Sequence, residues 1–114
     1  SIADSLYATG IPFSGRIEDL PETINDLKKL MPKCSGVRRY GAAALDLAYV
    51  AAGRYEGYWE RNLNNWDIAG GVIIAREAGA MVESISINGD PLTDGNIIAA
   101  TEVQFNKFAK IIRE

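Results

Sequence analysis

The sequence predicts an α/β layered domain with a largely parallel or mixed sheet flanked by helices. Short apolar or alternating runs at 5–10, 37–40, 55–60, 81–87 and 97–100 read as strands. Between them lie helical patterns of crossover length, and glycine, proline or asparagine punctuates most of the joins. No repeat, low-complexity stretch or linker divides the 114 residues, so 1–114 is read as one domain or part of one.

The first strand candidate, Ser5 to Gly10, gives way to a loop through Ser14-Gly15. Pro21 suits a first helical position, and Ile24, Leu27 and Met31 then recur at intervals that put them on the inner stripe of an amphipathic helix stopped by Pro32. After a brief strand at 37–40, Gly41 opens a helix of small and apolar residues running to Gly53, its expected C-terminal stop. Tyr55 to Glu60 alternates aromatic with small or charged residues as a strand should. From Trp66 to Ala78, Ile68, Val72, Ala75, Ala69, Ile73 and Ile74 predict a second mostly buried helix, with Asn65 as its cap and Gly79 as its end. Asn88-Gly89 marks a turn after the fourth strand, and Ile97–Ala100 reads as a buried strand. Thr101 and Gln104 are spaced as a capping box before a helix whose inner stripe is Phe105, Phe108, Ala109 and Ile112.

Composition narrows function. With 47% hydrophobic and 24% charged residues the chain is that of an ordinary folded protein, and its apolar runs are too short to span a bilayer. A net charge of -3 provides no global basic field for nucleic acid. Lys28, Lys29, Lys33, Arg38 and Arg39 form a basic cluster, read as a solvated face or else a phosphate-binding patch. The lone Cys34 cannot close an intrachain disulfide and suits a reducing cytoplasm. There is no histidine, which excludes Ser-His and Cys-His nucleophile activation within the chain. Any metal must be held by oxygen, which favours Mg, Mn or Ca. The start at Ser1 suggests a processed chain or an excised piece.

The stretch from Gly57 to Gly71 holds most of the candidate chemistry. Glu60 closes a strand, Asp67 opens a helix, and Asn62, Asn64 and Asn65 make the turn between them, with Trp66 placed to wedge that turn against a core. Asp67 has two readings: a capping acid favoured by the helix dipole, or a carboxylate holding Mg beside a phosphate bound at the helix N-terminus. Gly41-Ala42-Ala43 supplies a second helix opening of the same kind, and Glu60 would then face a polar part of the substrate. Gly70-Gly71, inside a helix, implies a close neighbour, either another backbone or a ligand. Asp46, in the middle of an apolar helix, needs a partner and is read as a hydrogen-bond anchor, with an arginine as the candidate, in preference to a catalytic acid.

Trp66-Asp67-Ile68-Ala69-Gly70-Gly71 followed by Arg76-Glu77-Ala78-Gly79 resembles the second signature of the inositol monophosphatase family. Arg39 through Ala48, with Gly53 and Tyr58-Trp59-Glu60, is similar to the stretch that precedes that signature. The resemblance covers almost the whole chain as the carboxyl-terminal half of such an enzyme, and implies a sugar-phosphatase-like fold. It also implies Mg-dependent hydrolysis of inositol monophosphates or related sugar phosphates. Asp67 matches the family's metal-ligating and substrate-contacting aspartate, Glu60 the glutamate that hydrogen-bonds inositol hydroxyls, and Gly41, Ala42 and Ala43 the loop and helix start lining the substrate pocket. Many members carry a hydroxyl residue where this chain has Ala42, which leaves backbone contacts there. The family's first signature, Asp-Pro-x-Asp-Gly-Thr, is absent from these residues. The chain alone is therefore expected to be inactive, to need the missing amino-terminal half, and to associate with that half or with itself as a homodimer. Rival readings are a fructose-bisphosphatase or nucleotide-bisphosphate phosphatase of the same superfamily, a non-enzymatic α/β interaction module, and an RNA or transcription role that the charge does not support.

Overall fold

Apolar runs too short to be helices pair into a sheet whose inner strands are buried on both sides. The computed structural model describes residues 1–10, 20–39 and 43–114. Among them, β1 (Leu6–Thr9), β2 (Gly36–Arg38), β3 (Gly57–Glu60), β4 (Met81–Ser84) and β5 (Ile97–Ala100) form a five-stranded sheet in the order β2-β1-β3-β5-β4. β1 is parallel to β2 and β3, whereas β5 is antiparallel to β3 and β4. The sheet is therefore mixed, within the predicted α/β class. No helix among the described residues is long and apolar enough to cross a membrane.

The pleat sends successive side chains to opposite faces, and each face has its own helical layer. On one side Tyr7, Trp59, Ile98 and Ala100 pack with Leu30 of α1 (Leu20–Leu30) and with Phe105, Phe108 and Ile112 of α5 (Glu102–Arg113). Tyr7 stacks on Phe108 at 4.4 Å between ring centroids. On the other side Ala8, Tyr58, Ile97 and Ala99 pack with Leu47 and Val50 of α2 (Ala43–Ala51) and with Ile68, Val72 and Ala75 of α3 (Asn65–Glu77). Burying a large apolar side chain contributes about 1.5–3 kcal/mol, which is why β5, covered on both faces, is apolar throughout.

Several expectations need correction. α1 turns Thr23, Asp26 and Leu30 inward, while Ile24 and Met31 are 42% and 58% exposed. The reason is Asp26. Its carboxylate accepts from Arg61 Nε at 2.8 Å and Nη2 at 2.9 Å and from Trp59 Nε1 at 3.0 Å, so a charged residue takes the inward position that apolar spacing assigns to Ile24. α1 ends at Leu30, and Pro32 sits in a short 3₁₀ turn after it. α3 is buried only on its inner side: Trp66, Ile73 and Ile74 are 76%, 59% and 53% exposed, so Trp66 wedges nothing. Its N-cap is Asn64, not Asn65. A Cβ on Gly70 would meet nothing within 4 Å, so no close neighbour among the described residues accounts for that glycine.

Thr101 holds the N-cap position of α5 but its side chain makes no cap hydrogen bond, and the Gln104 side-chain carbonyl turns inward to accept from the Tyr7 hydroxyl at 3.2 Å, so no capping box forms. A four-residue helix, α4 (Pro91–Asp94), precedes β5 without having been predicted; it is too short for periodicity, although Asp90 caps it and Gly95 ends it. Gly53 ends α2 with φ +77°, as expected, whereas the loop at Ser14-Gly15 lies outside the described residues. At the free edge of β4, Arg76 donates to the Val82 carbonyl at 3.0 Å and Arg113 to the Ser84 carbonyl at 2.7 Å, which covers acceptors an added strand would use.

Candidate functional site at the carboxyl ends of β1 and β3

The strand order builds a crevice. The chain passes from β1 to β2 through α1 on one face of the sheet and returns to β3 through α2 on the other, so the connections diverge between β1 and β3. Ligands of open α/β sheets bind outside the carboxyl ends of the strands at such a divergence. Because β1, β2 and β3 are parallel, their carboxyl ends lie together, and the amino-terminal ends of α2 and α3 follow β2 and β3 there. Unpaired backbone N–H groups at those helix ends favour negative charge.

Glu60, the last residue of β3, occupies this position. Its side chain lies across Gly10, so a Cβ on Gly10 would fall inside the Glu60 carboxyl group. The Thr9 hydroxyl ties the two strand ends by donating to the Trp59 carbonyl at 2.7 Å. Two residues back on the same face, the Tyr58 hydroxyl donates to Glu60 Oε1 at 2.6 Å. Residues of opposite parity leave on the other side: Trp59 and Arg61 both reach Asp26. β3 is thus anchored below while Glu60 stands on the α2/α3 face.

The asparagine turn is fixed by its neighbours. Asn62, with φ +59°, donates its N–H to Asn96 Oδ1 at 2.9 Å, and the Leu63 N–H donates to the Gly95 carbonyl at 2.9 Å. Gly95 has φ +73°, and a side chain there would overlap the Leu63 carbonyl. These contacts set where α3 begins relative to Glu60.

The predicted residues fare unequally. Glu60 stands in the crevice, and Ala43 is the buried first residue of α2. Gly41 and Ala42 lie outside the described residues. The backbone of Asp67 is in the first turn of α3, and its side chain lies outside what is described. Sequence reasoning passed over Thr9, Gly10 and Tyr58; a tyrosine two positions before a strand-ending glutamate was the available signal for the last of these.

Asp46 departs from its expected role. It is fully buried on α2, and among the described residues neither of its carboxyl oxygens has a hydrogen-bond partner, arginine included. Burial, and after it the negative charge of Glu60, pushes its pKa up to about 7. Among the described residues no three carboxylate, cysteine or histidine side chains converge on a possible metal position. A cavity of about 380 Å³ beside β4, between Arg76 and Asp90, and one of about 160 Å³ near Gly53 and Gly79 both lie away from these residues.

The model of the inositol monophosphatase family matches residues 1–114. Inositol-1-monophosphatase of Caulobacter vibrioides is 42% identical, covering 86% of this chain and 38% of its own length. Nus factor SuhB of Pseudomonas aeruginosa is 39% identical, covering 99% of this chain and 42% of its own. The crystal structure of extragenic suppressor protein suhB from Bartonella henselae superposes with a TM-score of 0.91 at 40% identity, covering 99% of this chain and 43% of that one. The chain thus spans about 40% of the length of the curated relatives it matches.

Proposed function

We propose, since the chain belongs to the inositol monophosphatase family, that it is the carboxyl-terminal part of an enzyme hydrolysing inositol monophosphate or a related sugar phosphate. The observation that carries this reading is Glu60 held over Gly10 at the divergence of β1 and β3, with the first turn of α3 following it. A carboxylate fixed by the Tyr58 hydroxyl accepts hydrogen bonds from neighbouring hydroxyls of a polyol, and the paired helix ends offer N–H groups to a phosphate.

In this proposal Asp67 supplies one metal ligand and contacts substrate, Glu60 reads the sugar hydroxyls, and Gly41, Ala42 and Ala43 line the pocket. The cofactor is Mg2+, whose chemistry when bound is to polarise the phosphate and activate water. The described residues do not complete its site, since octahedral oxygen coordination needs more carboxylates than converge here. The chain by itself is accordingly inactive. The remaining ligands belong to the part of the enzyme this chain does not span, and that part, or a second copy, would cover the exposed Trp66, Ile73 and Ile74. The enzyme works in the cytoplasm as a homodimer and needs neither membrane nor nucleic acid.

Glu60→Gln in the full-length enzyme tests the substrate role. Loss of a charge-assisted hydrogen bond is worth about 1.5–3 kcal/mol, so KM for inositol monophosphate should rise roughly 10- to 100-fold and the preference among phosphate esters should change. An unchanged profile across inositol, fructose and nucleotide phosphates would remove Glu60 from the site. A second reading has one observation in its favour, the relatives named Nus factor SuhB; the chain's net charge of -3 gives it no global basic field for RNA.

A further inference from the structure

β4 is an edge strand, and only half of the hydrogen-bonding capacity of its edge is taken up. The Ile85 N–H donates to the Asn96 carbonyl at 2.9 Å, and the β4/β5 register runs from Met81 opposite Ala100 to Ser84 opposite Ile97, so residues 81, 83 and 85 turn their backbone groups toward β5. Val82 and Ser84 turn theirs outward. Their carbonyls accept from Arg76 at 3.0 Å and from Arg113 at 2.7 Å. Their N–H groups leave on the same side, where no acceptor among the described residues meets them. An edge whose acceptors are occupied resists an added strand, which needs donors and acceptors in alternation, yet it still offers donors.

Val82 and Ser84 line the cavity of about 380 Å³ between Arg76 and the turn into α4, a volume that suits a small metabolite. The acids in its wall are already engaged. Glu83 pairs with Arg113 at 3.0 Å, and Asp90 accepts from the Leu92 N–H at 3.0 Å and from the Thr93 hydroxyl at 3.3 Å. Arg76 has the Val82 carbonyl and, among the described residues, no carboxylate. Its remaining N–H groups form a planar fork that matches a carboxylate. One end of the donor row is therefore Arg76 with the Val82 N–H; the other is the Ser84 N–H, two residues and about 6.8 Å further along the strand. The oxygens of a single carboxylate or phosphate lie too close together to reach both ends. We propose that this cavity binds a small dicarboxylate, with one carboxylate on Arg76 and the Val82 N–H and the second on the Ser84 N–H. The site lies two strands from β3 and uses no residue of the crevice, so it stands apart from the phosphatase reading.

The experiment is a titration of the 15N-labelled full-length enzyme, without added metal and at constant ionic strength, with succinate, acetate and inorganic phosphate, following the amide resonances of Val82 and Ser84. Succinate should move both resonances saturably and bind more tightly than acetate by about 10-fold or more, because acetate reaches one end of the donor row only. Phosphate should bind more weakly than succinate for the same reason. Arg76→Gln, an exposed substitution that keeps a donor for the Val82 carbonyl, should weaken succinate roughly 10- to 100-fold. Val82 and Ser84 amides that succinate leaves in place overturn the proposal. So do acetate binding within about 10-fold of succinate, phosphate binding as tightly as succinate, and an Arg76→Gln enzyme that binds succinate as wild type does. If that variant does not fold, the comparison of the three anions on the wild-type enzyme decides. Turnover is not read, so the cavity can fail while Glu60 and Asp67 keep their roles, and the reverse.

Discussion

On the α1/α5 face the buried carboxylate, Asp26, is matched by Arg61 and by the Trp59 indole, whereas on the α2/α3 face the buried carboxylate, Asp46, has no donor among the described residues. The outer surfaces differ in the same sense. Ile24 of α1 and Met31 just after it are separated by the exposed Lys28, but Ile73 and Ile74 of α3 lie beside Trp66 and the bare Gly70 along one helix side. The first face has the chemistry of a finished protein surface, with its polar groups paired where they are buried. The second keeps an unmatched carboxyl within and apolar groups without. Glu60 and the amino-terminal ends of α2 and α3 lie on that second side. The contrast separates scaffold from candidate site.

The sharpest way to break this comparison is to unpair the paired side. Asp26→Ala leaves the buried, charged guanidinium of Arg61, whose pKa is raised further by its hydrogen bond to Asp26, without its main partner, and should destabilise the fold by about 3–5 kcal/mol in urea titration. A cost below about 1 kcal/mol would mean that the Asp26–Arg61–Trp59 network does not fix α1.

Asp46→Asn should act in the opposite direction and depend on pH. The Asp46 pKa is about 7 when folded and near 4 when unfolded, so stability falls as pH rises through that window, because the unfolded chain releases its proton first. The variant should gain about 2–4 kcal/mol over wild type at pH 8 and nothing at pH 4. A gain at pH 4 as large as that at pH 8 would exclude ionisation as its cause.

The smallest effects separate the two sides of α3. Val72→Ala, on the inner side, should cost about 1–3 kcal/mol. Ile74→Glu, on the outer side, should change stability by less than about 0.5 kcal/mol while reducing self-association in light scattering. A monodisperse wild-type monomer would count against a contact role for that side.

How much of this was legible in the sequence depends on the kind of signal. β5 and the inner stripe of α5 were readable, because four consecutive apolar residues and the spacing of Phe105, Phe108, Ala109 and Ile112 leave little choice of partner. The orientation of α1 was not, since the residue that sets it is an aspartate whose partners lie far along the chain in β3 and just beyond it. The outer side of α3 looked buried because apolar periodicity reports what a helix can bury, not whether its cover lies in the same chain. Glu60 was singled out as a candidate through its motif. Asp46 was marked as needing a partner, but among the described residues none reaches its carboxyl oxygens, which residue spacing along one helix does not disclose.

The most direct measurement of the site assignment is Mg-dependent phosphate release from inositol monophosphate by the full-length enzyme carrying Asp67→Asn. Asp67 lies in the first turn of α3, beyond its N-cap Asn64, so losing its charge there costs only about 0.3–1 kcal/mol and the fold should persist. A lost metal ligand should lower turnover by roughly 100-fold or more. Release at the wild-type rate would contradict the metal role and leave Asp67 as a first-turn acid favoured by the helix dipole.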